Sequence, residues 1–255
     1  MQLQRYLPLA LPLAILSCTA PSALGPNGNV QVRSSSPALV SQGAQAFTKM
    51  KAEKKISTHS TYRTQVDRVA NKLTQVINLP NAQWEFVVFE DSTPNAFALP
   101  GGKVGIHTGL FQITQTDAGL ATVLAHEIAH VTSNHADARI KNQSNIGLGA
   151  SILGSLLGGE SAQTATSLLS GAGNIAFGLT FSRSQELEAD RIGTLFMARA
   201  GYDPNEAIAM WQRFANYNNA RGSQSAEFLR THPLNETRIT ALREFLPVAQ
   251  QQYRN

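Results

Sequence analysis

Cysteine is almost absent from this chain of 255 residues: there is one, Cys18. A single cysteine excludes an intramolecular disulfide framework and a cysteine-rich zinc cluster. Charge is sparse too, at 15% of residues. The 21 basic and 17 acidic side chains leave a formal net charge of +4, scattered along the chain with no basic stripe, so nucleic acid is not an expected partner. No run approaches the roughly 18 uninterrupted apolar residues of a membrane-spanning helix. What is present is an apolar fraction of 42%, enough for one sizeable core.

The first 17 residues resemble a bacterial lipoprotein signal peptide. Arg5 supplies the positive start, Leu7 to Leu16 the apolar stretch broken by Pro8 and Pro12, and Ile15-Leu16-Ser17 precede Cys18 as a lipobox. Cys18 is the expected lipid attachment site; an ordinary cleavage site at Cys18-Thr19-Ala20 is the alternative. From Thr19 to about Gln42 the sequence is rich in Ser, Pro, Gly and Asn, as in a solvated tether, with a reach of roughly 25 to 30 Å. The folded domain is expected over residues 43–255. The reading places the protein in a bacterial envelope, lipid-anchored and facing the periplasm.

Periodicity predicts helices over residues 44–56 and 61–77, the second with Val66, Val69, Leu73, Val76 and Ile77 on one face. Trp84 to Phe89 reads as a strand, and Phe97 to Leu99 and Lys103 to Ile106 flank Pro100-Gly101-Gly102 as a strand pair or one bent strand. A long helix follows from Thr116 to about Arg139, buried through Leu120, Val123, Leu124, Ile128 and Val131. Residues 145–179, rich in Gly, Ala and Ser, suit tight helix packing, with membrane contact as the alternative. Ser182 and Gln185 form a capping-box pattern opening a helix to about Ala200, closed by Gly201. Further helices are expected from Asp203-Pro204 to about Asn216 and from Pro233 onward.

Inside the apolar helix stands His126-Glu127-Ile128-Ala129-His130, an H-E-x-x-H pattern. Residues four apart share a helix face, so both imidazoles can reach one metal ion, with Glu127 rotated by about 100° beside them. Two satisfied core histidines are the bland alternative. Downstream, Glu186 and Asp190 lie one turn apart on a helix that can pack against the first. Two histidines and one carboxylate are the donor set of a catalytic zinc, and Asp190 can accept the spare ring N–H of a histidine ligand. Glu188, about 200° round from Glu186, cannot share its role.

Together these segments resemble the HtpX/BepA-type gluzincin metallopeptidases, relatives of the CAAX prenyl protease and the mitochondrial OMA-type protease. The resemblance is carried by HEIAH, by Ser182 to Gly193, by Thr231 to Ile239 and by Asn95 to Leu110. It implies an α+β, mostly helical zincin-like domain with a small sheet beside the active-site helix. It further implies one Zn2+ per chain held by His126, His130 and Glu186, with Glu127 as general base and Asp190 behind the ligands. His232 matches a family histidine near the zinc. It would act as an oxyanion donor or as a fourth ligand, or else merely cap the helix begun by Pro233.

The expected activity is zinc-dependent endoproteolysis of extended, misfolded or unassembled envelope polypeptides, bound along the strands near residues 97–106. A tethered chaperone with a latent, His-plugged zinc site is the rival from another class, and hydrolysis of a non-peptide envelope substrate is a third. His59, His107 and His135 are given no metal role. Arg183 and Arg238 are expected at the surface, pairing with Asp190 or a substrate carboxylate being the alternative.

Overall fold

The computed structural model describes residues 22–141, 180–221 and 226–253. Cys18, the signal peptide and the Gly/Ala-rich stretch 145–179 lie outside them.

Two helices precede the sheet. Helix α1 (Pro37–Glu53) is capped by Ser36, whose side chain accepts from the Leu39 N–H, as N-cap serines do. It buries Phe47 against Phe89 and Leu99. Helix α2 (Ser60–Gln75) turns Val66, Val69 and Leu73 into the main core, as its period requires, while Val76 is only partly covered.

Three strands follow: β1 (Glu85–Phe89), β2 (Ala96–Leu99) and β3 (Lys103–His107). Their order is β1-β3-β2, with β1 parallel to β3 and β2 antiparallel to it. Pro100-Gly101-Gly102 therefore joins a hairpin, and both glycines take φ near +85°, a conformation costly for other residues. Gly105 has a different constraint: a Cβ there would lie 2.2 Å from the Phe97 ring. Strand β2 is one of the two edge strands of this sheet, and the helix carrying the H-E-x-x-H pattern lies against it.

A short helix, α3 (Phe111–Thr114), leads into α4 (Asp117–Thr132), capped by Thr116. Every residue of α4 from Gly119 to Thr132 is buried. The long helix expected to about Arg139 is interrupted. Its ladder ends at Thr132, Asn134 adopts φ +57°, and helical structure resumes over residues 135–141 after this break.

Helix α5 (Arg183–Arg199) starts in the expected capping box, with both reciprocal bonds made between Ser182 and Gln185, and ends before Gly201 at φ +79°. It packs along α4, and Gly193 lets the two backbones approach, since a Cβ there would stand 2.9 Å from the His126 nitrogen. Helices α6 (Glu206–Arg221), α7 (Glu227–Thr231) and α8 (Glu236–Tyr253) complete the described fold. The last begins at Glu236, not at Pro233. Among the described residues no helix is long and apolar enough to cross a membrane.

Residues 22–36 depart from the tether reading. Ala23 is fully buried, Leu24 and Val30 pair in a short antiparallel bridge, and both pack on the core. The Arg33 N–H donates to the Thr132 carbonyl at 2.7 Å. The domain therefore begins well before Gly43: a few apolar side chains dock in grooves the helices provide, which the polar composition of the stretch conceals.

Candidate metal centre and its neighbours

Helix α4 places His126 and His130 one turn apart, α5 presents Glu186, and the chain leaving α7 supplies His232. Each of these four residues is at least 96% buried. Their donor atoms converge: His126 Nε2 lies 3.1 Å from His130 Nε2, 3.3 Å from His232 Nδ1 and 3.5 Å from Glu186 Oε2. Glu186 Oε1 is 3.0 Å from His232 Nδ1 and 3.5 Å from His130 Nε2. A tetrahedral ion with bonds of about 2.05 Å requires donors roughly 3.3 Å apart. The pairs above run to different oxygens of Glu186; with one donor atom taken from each residue, all four lie within 4.8 Å of one another, close enough to gather round one metal ion.

The expected carboxylates and histidines are thus brought together, and His232 comes with them as a fourth donor. It stands at the C-terminus of α7, with Pro233 after it. Helix α7 is tied to the β1–β2 loop by the Phe228 N–H donating to the Pro94 carbonyl at 3.3 Å. Phe228 stacks on the His232 ring at 4.4 Å, Phe181 stacks on His130 at 3.7 Å, and Trp211 meets His126 edge-on at 5.2 Å. Each imidazole is therefore oriented by an aromatic wall.

Glu127 projects from α4 beside the cluster, its Oε1 3.3 Å from His232 Nε2. Burial raises its pKa, against the opposing pull of His232 and His126. A buried carboxylate of raised proton affinity is suited to general base catalysis at neutral pH. Asp190 faces His126 Nδ1 at 3.1 Å, the ring nitrogen turned away from the cluster. Burial pushes its carboxyl up, but Arg238 and His126 overcome this and hold it below its ordinary value.

Two residues depart from the expectation. Arg238 is 2% exposed; its guanidinium grips Asp190 through two bonds of 2.7 Å and approaches Glu186 Oε2 at 2.7 Å. Arg183, grouped with it on sequence, is exposed. His135 lies outside the four-donor group, but it is buried and its Nδ1 lies 2.8 Å from His130 Nδ1. The turn at Asn134 brings it back beside the helix it has left. His59 is exposed. His107 ends β3 with Nδ1 3.2 Å from the Thr93 carbonyl, a structural contact.

The sequence profile described as peptidase family M48 matches residues 60–246. Among curated proteins, the mitochondrial metalloendopeptidase OMA1 of Schizosaccharomyces pombe is 37% identical over 185 residues, covering 72% of this chain and 53% of that protein. Its Saccharomyces cerevisiae counterpart is 38% identical over 180 residues, covering 69% of this chain and 50% of that protein. The putative beta-barrel assembly-enhancing protease of Vibrio cholerae is 38% identical over 189 residues, covering 70% and 38% respectively. The chain spans about half the length, or less, of these relatives. With most of its length matched and identities above 30%, the chain belongs to peptidase family M48.

Proposed function

We propose that this protein is a zinc metalloendopeptidase of the bacterial envelope, acting on extended segments of misfolded or unassembled proteins. The observation that carries the reading is the buried cluster of His126, His130, Glu186 and His232, whose donor atoms lie within 4.8 Å of one another, with the Glu127 carboxylate beside it. When bound, zinc would supply a Lewis acid for the scissile carbonyl and lower the pKa of water toward about 7. Glu127 takes the proton from the attacking water and delivers it to the leaving amine. Asp190 keeps the His126 proton on Nδ1, leaving the Nε2 lone pair for the metal. Strand β2, at the edge of the sheet against α4, is the surface on which an extended substrate backbone pairs, giving affinity with little sequence preference.

His232 bears on regulation. Its Nδ1 stands where a fourth zinc donor belongs, and its Nε2 faces Glu127. This arrangement favours a restrained resting enzyme over a His232 that donates to an oxyanion: with His232 as a fourth donor, the imidazole would have to withdraw to open the site to water. The names of the relatives, a beta-barrel assembly-enhancing protease and a metalloendopeptidase, support a role in protein quality control. Cys18 as a lipid anchor facing the periplasm belongs to the same proposal.

The test is turnover of unfolded casein by zinc-replete protein, with and without a chelator, alongside Glu127→Gln. Activity abolished by chelation and lowered at least about a thousandfold in Glu127→Gln is expected, since the base is lost while the donor set remains. Undiminished cleavage by pure Glu127→Gln refutes the mechanism. Metal uptake without turnover in any state favours the chaperone reading.

A further inference from the structure

The two histidines of the H-E-x-x-H pattern are held from behind in different ways. His126 meets a carboxylate directly, at Asp190. His130 meets another imidazole: its Nδ1 lies 2.8 Å from His135 Nδ1, and His135 Nε2 lies 3.0 Å from Glu188 Oε2. Glu188 is fixed in turn by the N-terminal segment, its Oε1 accepting from Ser22 Oγ at 2.7 Å and from the Ala23 N–H.

Proton bookkeeping along this chain has one consistent solution once His130 binds metal through Nε2. Its Nδ1 must then carry the hydrogen and donate. His135 Nδ1 must accept, so the His135 proton sits on Nε2 and is given to the Glu188 carboxylate. Every donor has an acceptor, and all the hydrogen bonds run in one direction toward the carboxylate. The His130–His135 link is buried and the His135–Glu188 link partly buried; hydrogen-bonded chains shielded in this way polarise one another, and partners behind a metal-bound imidazole fix its tautomer and raise its basicity.

We infer that His135 and Glu188 are positioning residues for the metal ligand His130, forming an imidazole relay that does for His130 what Asp190 does directly for His126. The inference rests on the zinc reading above. The relay also joins the metal centre to residues 22–23, so the segment preceding α1 is part of what holds the site.

The experiment measures zinc affinity of the purified full chain by competition with a chromogenic chelator, and the melting temperature of the metal-free protein, for wild type, His135→Leu, His135→Asn and Glu188→Gln. His135→Leu removes the acceptor and should weaken zinc binding about 10- to 100-fold. His135→Asn places Oδ1 where Nδ1 accepts and should restore affinity to within a few-fold of wild type. Glu188→Gln should weaken binding by about tenfold, the low end of that range, and add nothing further in the His135→Leu background. Should His135→Leu fail to fold, Glu188→Gln and His135→Asn still decide. Wild-type affinity in Glu188→Gln, or losses in His135→Asn equal to those in His135→Leu and tracking the metal-free melting temperature, overturns the relay. A wild-type chain that takes up no zinc overturns the metal reading instead.

Discussion

Replacing Arg238 by Met should be the most damaging single change outside the metal donors. The guanidinium makes two 2.7 Å bonds to Asp190, stands 2.7 Å from Glu186 and donates to the Pro233 carbonyl at 3.0 Å. Arg238 and both of its carboxylate partners are at most 2% exposed in their side chains. Met keeps the stem but removes the cation from two buried carboxylates and its contact over the Trp211 ring. Breaking a buried pair from one side costs about 3 to 5 kcal/mol, which for a domain of this size is a fall of roughly 6 to 20 °C in melting temperature. Zinc gives Glu186 a second cation, so the loss should approach the lower figure in zinc-loaded protein and the higher one after chelation. The pH dependence has a defined sign. The Asp190 pKa is depressed in the fold, so its stabilisation is present above the ordinary value of about 3.8 and is lost as pH falls through the lower folded-state value. The gap between wild type and variant should therefore narrow on acidification. Urea unfolding followed by circular dichroism measures it, with exposed Arg183→Met as a control expected within about 0.5 kcal/mol of wild type. A loss below about 1 kcal/mol for Arg238→Met would show that Asp190 needs no cation, and the account of how this site is held would fail.

Glu186→Gln should lower zinc content measured by elemental analysis, because it weakens a donor; full stoichiometry in that variant would remove Glu186 from the centre. His232→Ala should raise casein turnover and speed zinc loss to a chelator, whereas a fall of about 100- to 1,000-fold would make it an oxyanion donor instead. Cys18→Ser should move the protein from the membrane fraction to the soluble envelope fraction or leave it unprocessed; a variant cleaved and still membrane-bound ends the lipoprotein proposal.

Much of the site can be read from the sequence because its local geometry is helical. His126 with His130, and Glu186 with Asp190, follow from 3.6-residue periodicity, and the capping box at Ser182 fixes where the second helix starts. The sheet is legible in the same way from the glycine pair between two apolar runs. What is hidden depends on breaks and on distant partners. His135 falls off the donor face of a continuous helix, and only the left-handed turn at Asn134 redirects it toward His130. Arg238 reads as a surface residue because its acidic partners lie some 50 residues earlier, on a different helix. Residues 22–36 look solvated because docking through Ala23, Leu24 and Val30 needs grooves that no local pattern announces.

The docking of Ser22 and Ala23 onto Glu188 has a consequence for where the enzyme can work. With Cys18 as the proposed lipid attachment, Ser22 is four residue steps away, at most about 14 Å even in fully extended chain. A tether free to Gln42 would have let the domain roam and sample the aqueous space around it. If Cys18 carries the lipid, so short a span would hold Glu188, where Ser22 is fastened, close to the membrane surface. Polypeptides lying at or emerging from the bilayer surface would then meet the site in preference to those dissolved in bulk. Release of Ser22 from Glu188 would lengthen the tether and loosen the support of His130 in a single event.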